Sequence, residues 1–321
     1  MRCDSPGWNE VVFSVLDLDA AERLYVEVAG WEVRHRGRSS PEQTVAWKLP
    51  ETALIEEVVL GNPGEERGLV RLVKIHGVEQ RQIRSSARFW DVGGFSNVSS
   101  RVVSMAASFG ALQARGWVGH HDPVQYRFGP FTVVEGVATG HDGVVFSLVE
   151  RVDPPLAPGA FPGRVSAPFN VPQVVRDVRR ALDFYVHGLG FEVAIETEVG
   201  WAPPGANIFG LPYRIAMDTP LQVAIVHPRG QMVGCLELFA PGELVGRDFS
   251  GLAAPPNLGI LTVRFPVHGL AEYARGLTER GVELVVPPTE LELEPHGPVT
   301  LCAVRSPDGA WIELYEGRTE P

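Results

Sequence analysis

The chain has 321 residues, enough for two domains of ordinary size, and its 45% hydrophobic and 21% charged content is that of a globular protein rather than a disordered one. A net charge of −11 argues against nucleic-acid partners, and no apolar run reaches the ~18 residues of a membrane span. The three cysteines, Cys3, Cys235 and Cys302, include no CxxC pair, and the N-terminus MRCDSPGWNE lacks an apolar signal core, so a reducing, cytoplasmic setting is expected.

In chain order, the apolar stretch VVFSVL reads as a buried strand and leads into DLDAAERLYVEVAGWEV, Asp17 to Val33. Asp17 is a helix N-cap candidate, Leu18, Ala21, Leu24, Tyr25 and Val28 keep helical spacing, and Gly30 supplies the left-handed residue that ends the helix. The runs EVRHR, TVAWKL, IEEVVL and GLVRLV follow as predicted strands. A strand near Asn97 to Val102 then leads into a helix from about Met105 to Ala114, stopped by Gly116, with strands FTVVEGV and VVFSLVE after it. The stretch DPPLAPGAFPG, Asp153 to Gly163, is a proline-rich linker. Beyond it the pattern starts again. DVRRALDFYVHGLGFEV, Asp177 to Val193, repeats the first helical segment without a gap, so that Asp17, Tyr25 and Gly30 match Asp177, Tyr185 and Gly190. Strands FEVAIE, YRIAM, LQVAIV and GCLELF follow, then ILTVRF, a helix from about Leu270 to Thr278, and strands VTLCAV and AWIELYE. The chain therefore reads as four β-α-β-β-β units in an α+β fold, at about 8–76, 93–152, 167–240 and 257–317.

The two Asp-to-Val segments and the terminal RSPDGAWIELYE, with TGHDGVVFSLVER as a diverged copy, resemble the vicinal oxygen chelate superfamily of glyoxalases, bleomycin-resistance proteins and extradiol dioxygenases. The resemblance implies two half-open barrel domains, expected at 1–152 and 167–321 with the linker at 153–166. In some relatives units are exchanged between partners, so that one cup combines Glu10 and Arg71 with Thr262 and Glu313. The resemblance also implies a cup lined by the opening position of each unit's first strand and by one position of its last. On this chain those positions are Glu10 and Arg71, Asn97 and Ser147, Asn170 and Glu237, and Thr262 and Glu313. No histidine stands at any of them, which counts against a zinc, nickel or iron centre. No cofactor is committed. A metal held by Glu237 and Glu313 would be an oxygen-ligated magnesium, manganese or calcium.

Glu237 and Glu313 are the expected acid and base, in one cup where mutual repulsion raises a pKa. Asn170 and Thr262 are the expected substrate-positioning groups. Trp201, Phe209 and Tyr213, in a stretch six residues longer than its counterpart, are expected to stack on an aromatic substrate. Arg71 reads either as a grip on an anionic substrate or as a surface residue, and His121 and His227 are reserve proton carriers. No GxGxxG turn, GKS or GKT loop, or GxSxG elbow is present. The expected function is a lyase or isomerase acting on an oxygenated small molecule, aromatic if the trio stacks on it, as monomer or homodimer. Its rivals are a drug- or toxin-binding protein and a metal-dependent glyoxalase or dioxygenase with displaced ligands.

Overall fold

A computed structural model of the chain describes residues 2–201 and 203–317. The first unit comprises β1 (Glu10–Ser14), α1 (Leu18–Leu24), β2 (Glu32–Arg38), α2 (Pro41–Ala46), β3 (Leu54–Gly61) and β4 (Leu69–His76). The second comprises β5 (Val98–Val102), α3 (Met105–Gln113), β6 (Val118–Gly119), β7 (Val124–Phe128), β8 (Phe131–Thr139) and β9 (Val145–Asp153). The third comprises β10 (Val165–Val174), α4 (Val178–Leu182), β11 (Glu192–Val199), α5 (Tyr213–Met217), β12 (Leu221–His227) and β13 (Cys235–Ala240). The fourth comprises β14 (Gly259–Pro266), α6 (Leu270–Glu279), β15 (Leu284–Glu292), β16 (Pro298–Arg305) and β17 (Trp311–Gly317).

The repeated helix forms as its sequence dictates. The Asp17 carboxylate accepts from Ala20 N at 2.9 Å, and that of Asp177 accepts from Arg179 N at 2.8 Å and Arg180 N at 3.2 Å. Both helices widen into a π turn, Tyr25–Ala29 and Asp183–Gly188, and the chain then passes through Gly30 at φ 77° and Gly190 at φ 75°, a conformation that a side chain would strain. Two predicted strands are instead helix and turn. TVAWKL begins in the last turn of α2 and runs on as a turn, the helix being entered through Pro41, whose φ already suits it, and YRIAM is α5, entered from Pro212. Period-2 alternation over so few residues does not override that entry geometry.

Two curled half-barrel sheets carry the four units. The order is β15-β16-β17-β14-β1-β4-β3-β2 in the eight-stranded sheet and β11-β12-β13-β10-β5-β9-β8-β6 in the nine-stranded one, with β7 on β8. Unit 1 therefore shares a sheet with unit 4, and unit 2 with unit 3. The expected division into 1–152 and 167–321 does not follow the sheets: the 153–166 linker joins two units of one barrel. The joins are antiparallel, Glu10 opposite Arg264 and Asn170 opposite Ser99. The long connections 77–97 and 241–258 cross between the sheets and are tied together by bridges Gln82–Leu258 and Val92–Asp248 and by the Arg247–Asp91 ion pair at 2.9 Å. Their length lets the chain cross over, which the shorter proline-rich linker does not require.

Alternation along each strand sorts the side chains. Val11 and Phe13 of β1 join an apolar core shared by both sheets and their helices, whereas Glu10 points the other way, into its sheet's cup. No helix among the described residues is long and apolar enough to cross a membrane.

Candidate functional site

The eight cup positions read from the sequence are equivalent in register. In every unit, the last-strand residue lies opposite the residue two places after the opening one: Val12 opposite Arg71, Ser99 opposite Ser147, Pro172 opposite Glu237, and Arg264 opposite Glu313. Strand pairing then makes one set of Glu10, Arg71, Thr262 and Glu313, and another of Asn97, Ser147, Asn170 and Glu237. Glu237 and Glu313 thus belong to different sheets and do not form the expected repelling pair. The interleaved fold separates them.

The eight-stranded cup is filled by its own charges. Arg71 donates to Glu10 through Nε at 2.8 Å and Nη2 at 3.0 Å, and its Nη1 lies 2.8 Å from Glu57, an ion pair without hydrogen-bond alignment. Arg264 donates to Glu313 at 2.6 Å, to Glu10 at 2.7 Å and to Gln43 at 3.0 Å. The Trp47 indole, delivered by α2, donates to Glu313 at 2.6 Å, and the His296 ring lies 3.3 Å from Glu10. Glu10, Arg71, Arg264 and Glu313 are all at most 1% exposed. Burial works to raise the Glu10 pKa, but the Arg71 and Arg264 guanidiniums outweigh it and hold the carboxyl well below the usual range. Three sequence expectations are corrected here. Arg71 is neither a surface residue nor a substrate grip. Glu313 is committed to Arg264 and Trp47. Thr262 keeps its hydroxyl on the neighbouring Val263 carbonyl at 3.1 Å, and Arg264, two residues on, occupies the cup instead.

The nine-stranded cup is open. A cavity of about 140 Å³ lies on its concave face, walled by Phe89, Phe128, Phe131, Phe169, Ile225 and Phe239. Glu237 and Asn170 both reach it, and Asn170 Nδ2 donates to Glu237 Oε2 at 2.5 Å. The Asn170 amide is oriented by Cys235, whose thiol donates to its Oδ1 at 3.4 Å. Glu135 of β8 enters from the neighbouring strands, accepting from Ser147 Oγ at 2.5 Å and from the Tyr126 hydroxyl. Burial pushes the Glu237 carboxyl up to about 7, the Glu135 carboxylate adds to the rise, and the Asn170 amide pulls against it. Glu135 occupies the same register position as Glu57: each lies two residues before the one opposite the last-strand position, Val137 opposite Ser147 and Val59 opposite Arg71. Serine in place of arginine leaves the acidic pair of this cup without the guanidinium that Arg71 supplies to the other.

Arg101 and Arg151 complete the cavity's polar lining, and a second cavity of about 220 Å³, bordered by Arg84, His120 and Thr139, lies across Phe89 and Asn97. Of the aromatic trio expected to touch substrate, Trp201 and Phe209 stand behind the wall, Trp201 tilted against Tyr126 at 5.5 Å and Phe209 edge-on to Phe89 at 4.7 Å, while Tyr213 is 55% exposed and turned away. Ile208 is what that stretch contributes to the lining, beside Val199 from the end of β11. His227 is structural: its Nε2 lies 3.1 Å from the Pro6 carbonyl and its Nδ1 accepts from Arg229 N at 2.8 Å. His121 Nδ1 lies 2.6 Å from the Asp122 carbonyl, away from the cavity lining. Sequence reasoning missed Glu135, Tyr126, Arg101 and Arg151. One signal was available, since Glu135 interrupts the apolar run FTVVEGV where a core strand has no use for a charge.

Neither cup offers a metal the usual donors. Two guanidiniums fill one, and among the described residues no group of three or more His, Cys, Asp or Glu side chains is placed to hold an ion. Residues 168–314 match the family model of the Glyoxalase/Bleomycin resistance protein/Dioxygenase superfamily. No curated protein sequence matches. Among solved structures, glyoxalase I from Zea mays is 17% identical with a TM-score of 0.64, covering 97% of this chain and 92% of that one. A putative dioxygenase from Bacillus subtilis is 11% identical with a TM-score of 0.60, covering 98% and 86%. The third and fourth units, residues 168–314, therefore carry the domain of the Glyoxalase/Bleomycin resistance protein/Dioxygenase superfamily, and the two-barrel fold of these solved structures extends along the whole chain.

Proposed function

We propose that the protein is an enzyme, a lyase or isomerase that moves a proton on a small oxygenated metabolite held in the nine-stranded cup. The observation that supports this reading is the Glu237 carboxyl, raised to about 7 and lining a largely apolar cavity. A carboxyl with that pKa exchanges protons at neutral pH in either direction, which suits a general base that later acts as acid. Glu237 abstracts a proton next to a carbonyl and returns it to the product. Asn170 holds the Glu237 carboxylate in place, and Glu135, fixed by Ser147 and Tyr126, keeps its proton affinity high. The donor sets of the two cups do not fit a divalent metal, so no step is assigned to one.

The test does not depend on the identity of the product. The protein is incubated with a panel of 2-oxo and aryl-oxo acids in D2O, and loss of carbon-bound protons is followed by NMR. The wild type is expected to exchange at least one member, and Glu237→Gln to slow that exchange about a hundredfold or more, the scale of a lost general base. A second reading, a binder of the bleomycin-resistance type, is favoured by the apolar walls. Tight binding with no exchange and full recovery of the ligand would establish it instead.

A further inference from the structure

Two arginines that line the open cup form no ion pair among the described residues. Arg101 and Arg151 line the cavity on neighbouring strands; Arg101 stands opposite Val149, one same-face step from Arg151. Each guanidinium is stacked on a phenylalanine, Arg101 over Phe169 at 4.0 Å and Arg151 over Phe131 at 3.9 Å. Neither forms an ion pair with a carboxylate among the described residues. The Arg151 Nε is buried without a hydrogen-bond partner. Glu135, the carboxylate on the adjoining strand, has both oxygens taken by Ser147 and Tyr126. Burial lowers the Arg101 pKa, and the charge of Arg151 lowers it further. Two like charges held side by side over aromatic rings, with no carboxylate partner among the described residues, are placed to receive an anion. The eight-stranded cup shows the contrast, since each of its two arginines is saturated by glutamate.

The walls define the rest of the ligand. The cavity is about 140 Å³, close to the ~150 Å³ that accommodates one benzene ring in an apolar interior. Its sides are phenylalanine, and the same lining carries Asn170 and Glu237. We propose that the cavity takes a single-ring carboxylic acid, its carboxylate gripped by Arg101 and Arg151, its ring against Phe131 and Phe169, and its reacting carbon turned toward Glu237. This rests on the nine-stranded cup being the working site, and it deepens the acid–base reading by naming the substrate class.

The test measures binding, separately from turnover. Isothermal titration compares 3-phenylpropionate, the neutral 3-phenylpropanamide and inorganic phosphate on the full-length protein. The acid is expected to bind at least tenfold tighter than the amide, and phosphate to compete poorly. Arg101→Met with Arg151→Met should erase the tenfold preference while leaving amide binding and the melting temperature near wild type. That retained amide binding shows the cavity to be intact. Equal binding of acid and amide by the wild type would overturn the proposal. So would a preference that survives in the double variant, phosphate binding as tightly as the acid, or no binding of the acid at millimolar concentration. Glu237→Gln keeps the two readings apart: it stops exchange chemistry but retains the acid-over-amide preference. Loss of exchange with the preference intact therefore speaks only to Glu237, whereas the acid-over-amide preference, read by binding alone, speaks to the arginines.

Discussion

Glu237→Gln should make the protein more stable at neutral pH and hardly change it in acid. The folded protein holds the Glu237 proton up to about pH 7, whereas a carboxyl of ordinary pKa, 4.5, sheds it once the chain is unfolded. Between those values the folded state binds more protons than the unfolded state. Stability attributable to this group is therefore fully present below pH 4.5, declines as pH rises through 7, and then levels off. The interval is about 2.5 pH units, which at about 1.4 kcal/mol per unit sets an upper bound of about 3.5 kcal/mol on the penalty for ionising Glu237 in place. Glutamine keeps an oxygen for the Asn170 amide and cannot ionise, so it removes that penalty. Urea unfolding of both proteins at half-unit steps from about pH 4 to 8 should show the variant's advantage rising from near zero to a plateau above about pH 7. A difference that stays flat with pH, or that grows toward acid, would refute the assignment of a raised pKa to this residue.

Other expectations concern the neighbours of Glu237 and the closed cup. Asn170→Ala removes the donor that pulls the Glu237 pKa down, so its titration, followed by the carboxyl infrared band, should move above pH 7; a downward shift would contradict the geometry. Arg264→Met leaves Glu10 and Glu313 buried without their shared cation, and should cost roughly 3–5 kcal/mol in urea unfolding. Adding Glu313→Gln to that variant should recover part of the loss, because Glu313 is the carboxylate left without a cation while Glu10 keeps Arg71. Phe89→Ala should join the two cavities on either side of it, so that biphenyl-4-carboxylate binds at least tenfold tighter than to wild type by titration calorimetry.

The parts of this architecture that rest on local chemistry were legible in the sequence. Asp17 and Asp177 cap helices and Gly30 and Gly190 end them because each acts within a few residues of its own backbone. The register positions of Glu10, Asn170, Glu237 and Glu313 followed from counting along the repeat, since strand periodicity carries that count unchanged. What the sequence left open was the partner of each unit. That depends on connections 77–97 and 241–258, which carry no periodic pattern, and on antiparallel joins such as Glu10 opposite Arg264, which link residues far apart in the chain. The consequence for the site was large. Glu237 and Glu313 look equivalent in the repeat, yet one faces a cavity and the other is bound between Arg264 and Trp47. Glu135 left a trace, a charge inside the apolar run FTVVEGV, but Arg101 and Arg151 matter through which groups are missing around them among the described residues, and a string of residue types does not show that.

The interleaved pairing of the units also bears on how the polypeptide matures during synthesis. The nine-stranded sheet draws only on β5 to β13, a continuous stretch in the middle of the chain, and can close once the ribosome has released it. The eight-stranded sheet joins β1–β4 to β14–β17, so the first strands made must wait for the last. Throughout that interval the β1 edge, destined for β14, has no neighbour, and Glu10 and Arg71 lack Arg264 and Glu313. Nascent molecules are therefore most exposed to aggregation at their oldest segment, and a chain truncated after the third unit should retain the open barrel while its amino-terminal quarter stays unassembled.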